Sequence, residues 1–142
     1  MTNNRNAAAE AFATALLAQP PLHHWLSPRV VAVDIERGTL TVSLPYRPEL
    51  SRSPDERDYH GGIIATLIDI AGHACLATRL GRRVPTIDLR VDYLRPAVDS
   101  DLTATAQIVR AGRTVGVCDV EVRDDAERKI ALGRCVFSTR ES

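Results

Sequence analysis

Alternating apolar and polar residues mark most of the chain as β-strand. Successive side chains in a strand point to opposite faces of the sheet, so a period of two indicates one buried and one exposed face. Short turns containing glycine, Arg37-Gly38 and Ala111-Gly112, separate two pairs of these runs and predict hairpins. The predicted strands cover residues 31–36, 39–44, 86–93, 102–109, 114–123 and 129–138.

Two other segments predict helices. Residues 7–18 are rich in alanine, with Asn6 placed to cap the helix and Pro20 placed to end it. Residues 63–80 are apolar almost all round, and Gly81 follows at a position where helices often end on a positive φ. Two strands, a long helix and a four-stranded meander indicate the α+β class, with the sheet burying the long helix.

Length and composition narrow the function classes. The 142 residues indicate a single domain, in which residues 1–21 form an N-terminal helix and a linker. The 18 basic and 18 acidic residues balance, which disfavours nucleic acid as a partner because a polyanion requires a basic excess. The three cysteines are an odd, widely spaced set, typical of free thiols in a reducing compartment. We expect no signal peptide, no membrane span and a cytoplasmic location.

A stripe of polar and small residues interrupts the apolar surface of the long helix. Its members are Gly62, Thr66, Asp69 and His73, which lie within an arc of about 60° because of their spacing. A buried, unpaired carboxylate costs on the order of several kcal/mol, so Asp69 must face a cleft, pair with another group or take part in chemistry. The structural alternative is that Asp69 and His73 satisfy each other at a subunit contact.

The start of this helix predicts an anion site. Gly61 and Gly62 would let backbone amides approach a ligand closely, and a helix N-terminus carries unpaired N–H donors that can hold an oxyanion. Asp69 follows Gly61 by eight residues, about 12 Å along the axis, so one helix cannot bring both groups to one atom. We therefore expect a dimer whose antiparallel helices place Gly61 of one subunit near Asp69 of the other.

A family resemblance rests on residues 59–69, which read Tyr-His-Gly-Gly-Ile-Ile-Ala-Thr-Leu-Ile-Asp. This segment resembles the signature His-Gly-Gly, six residues and Asp of hot-dog-fold acyl-CoA thioesterases of the phenylacetate-degradation (PaaI-like) type. The resemblance continues in residues 47–50, 86–97 and 112–114 and spans about residues 22–138. His-Gly-Gly alone is a weak signal, whereas an Asp at this offset on an apolar helix is fairly specific.

The resemblance implies both a fold and a reaction. The fold is an antiparallel sheet wrapped around one long helix, assembled as a homodimer or homotetramer. The reaction is hydrolysis of an acyl-CoA thioester to a free acid and coenzyme A. By position, Asp69 is the catalytic base or nucleophile, the N–H of Gly61 is the oxyanion donor, and Thr86 is the small hydroxyl residue on the strand after the helix.

Further substrate contacts are expected along the helix stripe, at Gly62, Thr66 and His73, with Thr66 and Thr86 positioning the water. Two positions depart from the pattern of the family. Pro54 stands six residues before the His, where the family often has an Asn that helps to hold the thioester or the water. His73 stands one turn after the acid, where a small or hydroxylic residue is common.

The remaining candidates each have a second interpretation. His60 is either a site residue or a histidine that fixes the loop through hydrogen bonds. His23 and His24 lie in a proline-flanked linker without a cluster of further ligands, so we expect neither a metal nor another cofactor. Arg113, on a tight turn beside the sheet, is the candidate for binding the coenzyme A phosphates.

The sequence leaves two alternative functions open. A hot-dog hydratase or dehydratase would use a loop acid and a histidine, such as Asp58 and His60, to handle water. A non-catalytic acyl-CoA-binding protein would bind its ligand without releasing a thiol. Trp25 and Leu22 either line an acyl pocket or close the core.

Overall fold

Six antiparallel strands form one sheet, and a single long helix packs against it, in the computed structural model, which describes residues 2–141. The helices are α1 (Thr2–Leu17), α2 (Pro21–Leu26) and α3 (Gly61–Leu80), with a 3₁₀ turn at Pro48–Leu50. The strands are β1 (Arg29–Asp34), β2 (Thr39–Leu44), β3 (Thr86–Tyr93), β4 (Leu102–Ala111), β5 (Val115–Arg123) and β6 (Lys129–Ser138). The α+β prediction is confirmed, and α3 ends at Gly81 with a positive φ as expected.

Strand β3 lies at an edge of the sheet beside β6. The strand order is β1-β2-β4-β5-β6-β3, with Thr86 opposite Phe137 and Tyr93 opposite Ala131. The predicted four-stranded meander is therefore wrong, because only β4, β5 and β6 follow one another as neighbours. Alternation shows which face of a strand is buried but not which strand lies beside it. Helix α3 contacts β2 through β6. It begins beside Tyr93 of β3, and Arg79 near its end bonds to the carbonyl of Ile35 after β1.

Helix α3 approaches the sheet closely at two strand glycines. A Cβ on Gly116 would press on Leu76, and a Cβ on Gly133 would press on Ile68, at distances that real Cβ atoms essentially never show. Of the residues predicted to share one face of β4 and of β5, Ile108 is partly buried and the others are buried: Leu102, Ala104, Ala106, Gly116, Cys118, Val120 and Val122. The alternation of β3 also predicts a shared face that contains Ile87 and Tyr93, but both are exposed because β3 is an edge strand. The three cysteines are free and buried, as predicted.

The N-terminal region differs from its prediction. Helix α1 begins at Thr2, so Asn6 lies inside it, and the Asn6 Oδ1 accepts a hydrogen bond from the amide of Ile35 at 3.0 Å. The prediction of Asn6 as the helix cap is wrong because this side chain binds the turn after β1 instead.

A second correction concerns the expected linker, which contains the short helix α2. The ring nitrogens of His23 and His24 bond to the carbonyls of Leu17 and Ala18 at 2.8 and 2.7 Å. The two histidines therefore join α2 to the end of α1. A helix of six residues that depends on such contacts is too short to show a clear helical periodicity of apolar residues in the sequence.

Helix α3 is long and apolar enough to cross a membrane when only length and composition are considered. Within its most apolar stretch of 18 residues, 56% is buried inside the protein. The core helix of a soluble protein has the same length and apolar composition. Its packing against five strands explains this apolar character without a membrane.

Candidate active site

Asp69 and Thr86 form the centre of the candidate site. Asp69 lies midway along α3 and is partly buried, while Thr86 is exposed as the first residue of β3. The Thr86 Oγ1 donates a hydrogen bond to Asp69 Oδ1 at 2.9 Å. The structure thus brings together two residues that are 17 positions apart in sequence. Among residues 2–141, this is the one hydrogen bond made to the Asp69 carboxylate.

His73 has a partner other than Asp69. Its Nε2 accepts a hydrogen bond from the amide of Val84 at 3.3 Å, which requires that nitrogen to be unprotonated. Burial lowers the pKa of His73 although the Asp69 carboxylate opposes this shift, and Arg83 adds to it. The mutual pairing of Asp69 and His73, considered as a structural alternative, is not the arrangement observed, because each side chain bonds elsewhere.

At the start of α3, one backbone amide has no hydrogen-bond acceptor among the described residues. The amide of Gly62 donates to His60 Nδ1 at 2.9 Å, and the amide of Ile63 donates to the His60 carbonyl at 3.0 Å. Within residues 2–141, the Gly61 amide has no hydrogen-bond acceptor, as is usual for the first residue of a helix. Of these three amides, the Gly61 N–H is therefore the one that the loop leaves without an acceptor among residues 2–141.

His60 acts on this loop through both its ring and its backbone. Its Nδ1 caps α3, and its amide donates to the carbonyl of Leu50 at 2.8 Å. These contacts are those of a histidine that fixes the loop, which is the second of the two roles considered for it. The ring must carry its proton on Nε2 to accept at Nδ1.

The Thr66 hydroxyl bonds back to its own helix. Its Oγ1 donates to the Gly62 carbonyl at 2.8 Å, so the donor of this hydroxyl is in use and only its lone pairs remain for a water. The polar stripe therefore divides into three separate contacts: Thr66 with Gly62, Asp69 with Thr86, and His73 with Val84.

Tyr93 lies over the start of α3, and it was not among the site residues predicted from the sequence. Its hydroxyl donates to the Gly61 carbonyl at 2.6 Å, and its side chain lines a cavity of about 470 Å³ together with Gly61, Ile64 and Leu94. The available signal was its place at the end of the β3 alternation, inside the segment that resembles the thioesterase family.

The proline-rich loop does not replace the missing asparagine of the family. Pro54 and Asp55 are exposed, and the carboxylate of Asp58 is paired with Arg52 in a buried position. Because Asp58 binds Arg52 and the His60 ring binds Gly62, these two side chains do not form the water-handling pair that a hydratase would need.

A second cavity of about 790 Å³ lies one helical turn beyond Asp69. Its lining includes His73, Arg82, Arg83 and Arg140. Arg113 is not part of this lining, although its turn is joined to the end of β6 through the bond from the Thr139 hydroxyl to the Gly112 carbonyl.

Trp25 and Leu22 do not close the core. They are 47% and 51% exposed, whereas Leu26 is the buried apolar residue of α2. The Arg47 guanidinium stacks over the Trp25 ring at 4.4 Å, which is within the range of a cation–π contact. Of the two roles considered for this pair, closing the core is excluded.

Comparison with known proteins decides the family. A model of the Thioesterase superfamily matches residues 58–131, which is more than half of the chain and includes Gly61, Asp69, Thr86 and Tyr93. The chain belongs to the thioesterase superfamily. It therefore has a hot-dog fold and is a thioester hydrolase.

Relatives of this superfamily member cover most of its length. A putative esterase of Halobacterium salinarum is 42% identical over 73% of the chain and 76% of its own length. The medium/long-chain acyl-CoA thioesterase YigI of Escherichia coli is 31% identical over 88% of the chain and 92% of its own length. The structure of the E. coli PaaI protein from the phenylacetic acid degradation operon covers 100% of the chain and 97% of its own, at 23% identity and a TM-score of 0.84, which supports the fold.

Proposed function

We propose that this protein hydrolyses acyl-CoA thioesters, with Asp69 as the catalytic carboxylate and the Gly61 N–H as the oxyanion donor. The observation that carries the proposal is the hydrogen bond of 2.9 Å from Thr86 to Asp69 on an otherwise apolar helix. This bond holds one oxygen of a carboxylate that is only partly buried. The relatives named as acyl-CoA thioesterases support coenzyme A as the leaving group.

The chemistry requires a negative charge to be stabilised on the thioester oxygen. The Gly61 amide would donate to this oxygen as water adds to the carbonyl carbon. Asp69 would remove a proton from that water, and the carbon–sulfur bond would then break to release coenzyme A. In a second route, Asp69 itself attacks the carbonyl carbon and expels coenzyme A as the carbon–sulfur bond breaks, which forms a mixed anhydride. Water then opens this anhydride to the free acid and restores the Asp69 carboxylate.

Two subunits are needed for this arrangement. Gly61 and Asp69 are eight residues apart on α3, about 12 Å along its axis, so they cannot reach one carbonyl within a chain. We propose a homodimer, or a homotetramer built from such dimers, in which Asp69 acts with Gly61 of the partner subunit. The exposed edge strand β3 supports this assembly because Ile87 and Tyr93 are 59% and 53% exposed there.

The proposed substrate also needs a place for its phosphates. The cavity beside His73 is lined by Arg82, Arg83 and Arg140, and guanidinium groups bind phosphate through paired hydrogen bonds. We propose this cavity, with the neighbouring turn of Arg113 as a further contact, for the nucleotide end of coenzyme A. We also propose a cytoplasmic location, which the three free thiols support.

The test of this function is thiol release by Asp69→Asn. With a panel of acyl-CoA substrates, we expect the variant to lose about 10²- to 10⁴-fold in kcat, because an amide cannot act as base or nucleophile here. Glu36→Gln, which changes an exposed carboxylate in the turn between β1 and β2, is the matched control and should keep the wild-type rate.

Other outcomes would select another function. Wild-type turnover in Asp69→Asn would remove this carboxylate from the mechanism. Addition of water to an unsaturated acyl chain without thiol release would favour a hydratase. Tight binding of acyl-CoA without any product would favour a binding protein.

A further inference from the structure

The peptide unit between Gly61 and Gly62 is held at both ends by side chains. At one end, the Tyr93 hydroxyl donates to the Gly61 carbonyl at 2.6 Å. At the other end, the Gly62 amide donates to His60 Nδ1 at 2.9 Å. The first N–H groups of a helix have no intrahelical acceptor, and a cap side chain commonly accepts from one of them. Here the cap residue His60 does so, and the strand residue Tyr93 adds a bond to the carbonyl of the same peptide unit.

These two hydrogen bonds fix the peptide unit that follows the one carrying the proposed oxyanion donor. The preceding peptide unit, between His60 and Gly61, carries the N–H that has no acceptor, and its carbonyl accepts from Ile63 at 3.0 Å. The two peptide planes meet at the Cα of Gly61, where glycine allows the widest range of φ and ψ. Holding the plane on either side of Gly61 removes this freedom and sets the direction of its N–H.

The Tyr93 ring adds a steric limit at the same point. A Cβ on Gly61 would lie 3.4 Å from Cζ and from the hydroxyl oxygen of Tyr93. The ring therefore covers the Cα of Gly61 closely, while about half of the side chain faces the open cavity. Tyr93 comes from β3, the strand that also carries Thr86, so one strand contacts both halves of the proposed site.

We infer that Tyr93 is a positioning residue for the oxyanion donor at Gly61, an inference that rests on the proposed thioesterase function. Its hydroxyl does not touch the substrate in this role. It holds the Gly61 carbonyl so that the amide on the other side of the same residue points at the thioester oxygen. Loss of this hydroxyl should reduce stabilisation of the transition state more than binding of the ground state.

The experiment compares Tyr93→Phe with Tyr46→Phe in the full-length protein. Tyr93→Phe keeps the ring and removes the hydroxyl, so we expect kcat to fall about 10- to 100-fold. KM, and the Kd of a non-hydrolysable thioether analogue of acyl-CoA, should change by less than about twofold. Tyr46→Phe also removes a bonded hydroxyl, at 2.8 Å from Ser51 Oγ in the loop before α3. This hydroxyl does not bond to the Gly61–Gly62 peptide unit, so the variant should keep the wild-type kcat.

A second measurement reports on the geometry without turnover. The chain has 8 glycines, so selective ¹⁵N-glycine labelling gives a spectrum simple enough to follow individual amides. The amide resonances of Gly61 and Gly62 should shift in Tyr93→Phe and stay in place in Tyr46→Phe. Unchanged resonances in Tyr93→Phe would overturn the inference.

The kinetic outcomes are equally decisive. A wild-type kcat in Tyr93→Phe, an equal loss in Tyr46→Phe, or a rise in KM at constant kcat would each overturn the role of Tyr93. Failure of the proposed function gives a different result, because the wild-type protein would then release no thiol while the glycine resonances would still report on the Tyr93 contact.

Discussion

His73 is a partly buried histidine held in its neutral form next to the proposed catalytic acid. Its Nε2 accepts the Val84 amide, and burial lowers its pKa from the ordinary value of 6.5 in spite of the Asp69 carboxylate. Arg83 and His23 lower the pKa further. A neutral ring at this position leaves Asp69 without a cationic neighbour on its own helix, so the carboxylate is not neutralised by an ion pair with His73.

The lowered pKa of His73 predicts a pH dependence of stability. Below pH 6.5, and down to the lower pKa of the folded protein, the unfolded chain binds more protons at this residue than the folded chain does. The free energy of unfolding should therefore decrease as the pH falls through this window. His73→Gln keeps an acceptor for Val84 but cannot titrate, so its loss of stability between pH 7 and pH 5 should be smaller, as measured by urea unfolding.

His24→Gln is the control for this experiment. His24 is exposed, and its ring bonds to the end of α1 instead of facing Asp69. The part of the change in slope that His73→Gln produces beyond that of His24→Gln is assigned to the position beside Val84. Identical slopes for wild type and His73→Gln would show that His73 does not contribute to the acid sensitivity.

Residue spacing on one helix was enough to select part of the candidate site. Gly61 and Asp69 stand out because a carboxylate and a pair of glycines are unusual on an apolar helix, and their separation is the basis for proposing two chains. Tyr93 could not be found in this way. It lies 32 residues from Gly61, and its contact exists only because β3 runs beside the start of α3.

At the scale of elements, the packing of α3 on the sheet depends on the absence of a side chain at Gly133. A Cβ there would press on Ile68 of α3 and lie 3.3 Å from the Arg90 carbonyl of β3. Gly133→Ala should lower the free energy of unfolding by about 1–3 kcal/mol, because overpacking forces the helix or the strand to shift. Chemical denaturation measures this loss.

A double-mutant cycle assigns the cause of that loss. Ile68→Ala removes the atoms that the new Cβ would press on, so the costs of Gly133→Ala and Ile68→Ala should not add. Gly81→Ala is the matched control. Its Cβ meets nothing within 4 Å and its cost arises from a φ of +71°, so it should add to that of Ile68→Ala. Additive costs for Gly133 and Ile68 would exclude a steric contact between them.

The strands and the long helix were predictable because each has a regular pattern of burial. The position of β3 and the existence of α2 were not. Helix α3 begins at the β3 edge and ends near the turn after β1, so the loop of residues 81–85 returns the chain to the side of β6. This path depends on tertiary packing and not on the β3 sequence. Helix α2 is six residues long and is joined to α1 by two histidine rings, so tertiary contacts rather than local propensity define it.

At the scale of the whole molecule, the shared site makes a prediction about mixed subunits. If Asp69 acts with Gly61 of the partner subunit, a chain defective at one position can be complemented by a chain defective at the other. Asp69→Asn removes the carboxylate. Gly61→Pro removes the N–H, and proline is tolerated at the first position of a helix. The extended backbone of His60, with φ −60° and ψ 131°, also suits a residue that precedes proline.

Each variant alone should be inactive, because both sites of its homodimer carry the same defect. In a mixed dimer, one site combines both defects, while the other combines an intact Asp69 with an intact Gly61. Random pairing of equal amounts of the two chains makes half of the dimers mixed, so co-expression should restore about a quarter of the wild-type activity. Thiol release by the co-expressed protein, with the chain ratio checked by mass spectrometry, measures this recovery. No recovery in dimers confirmed to be mixed would mean that each site takes Gly61 and Asp69 from the same chain. Because of their axial distance on α3, the two groups could then not act on a common atom.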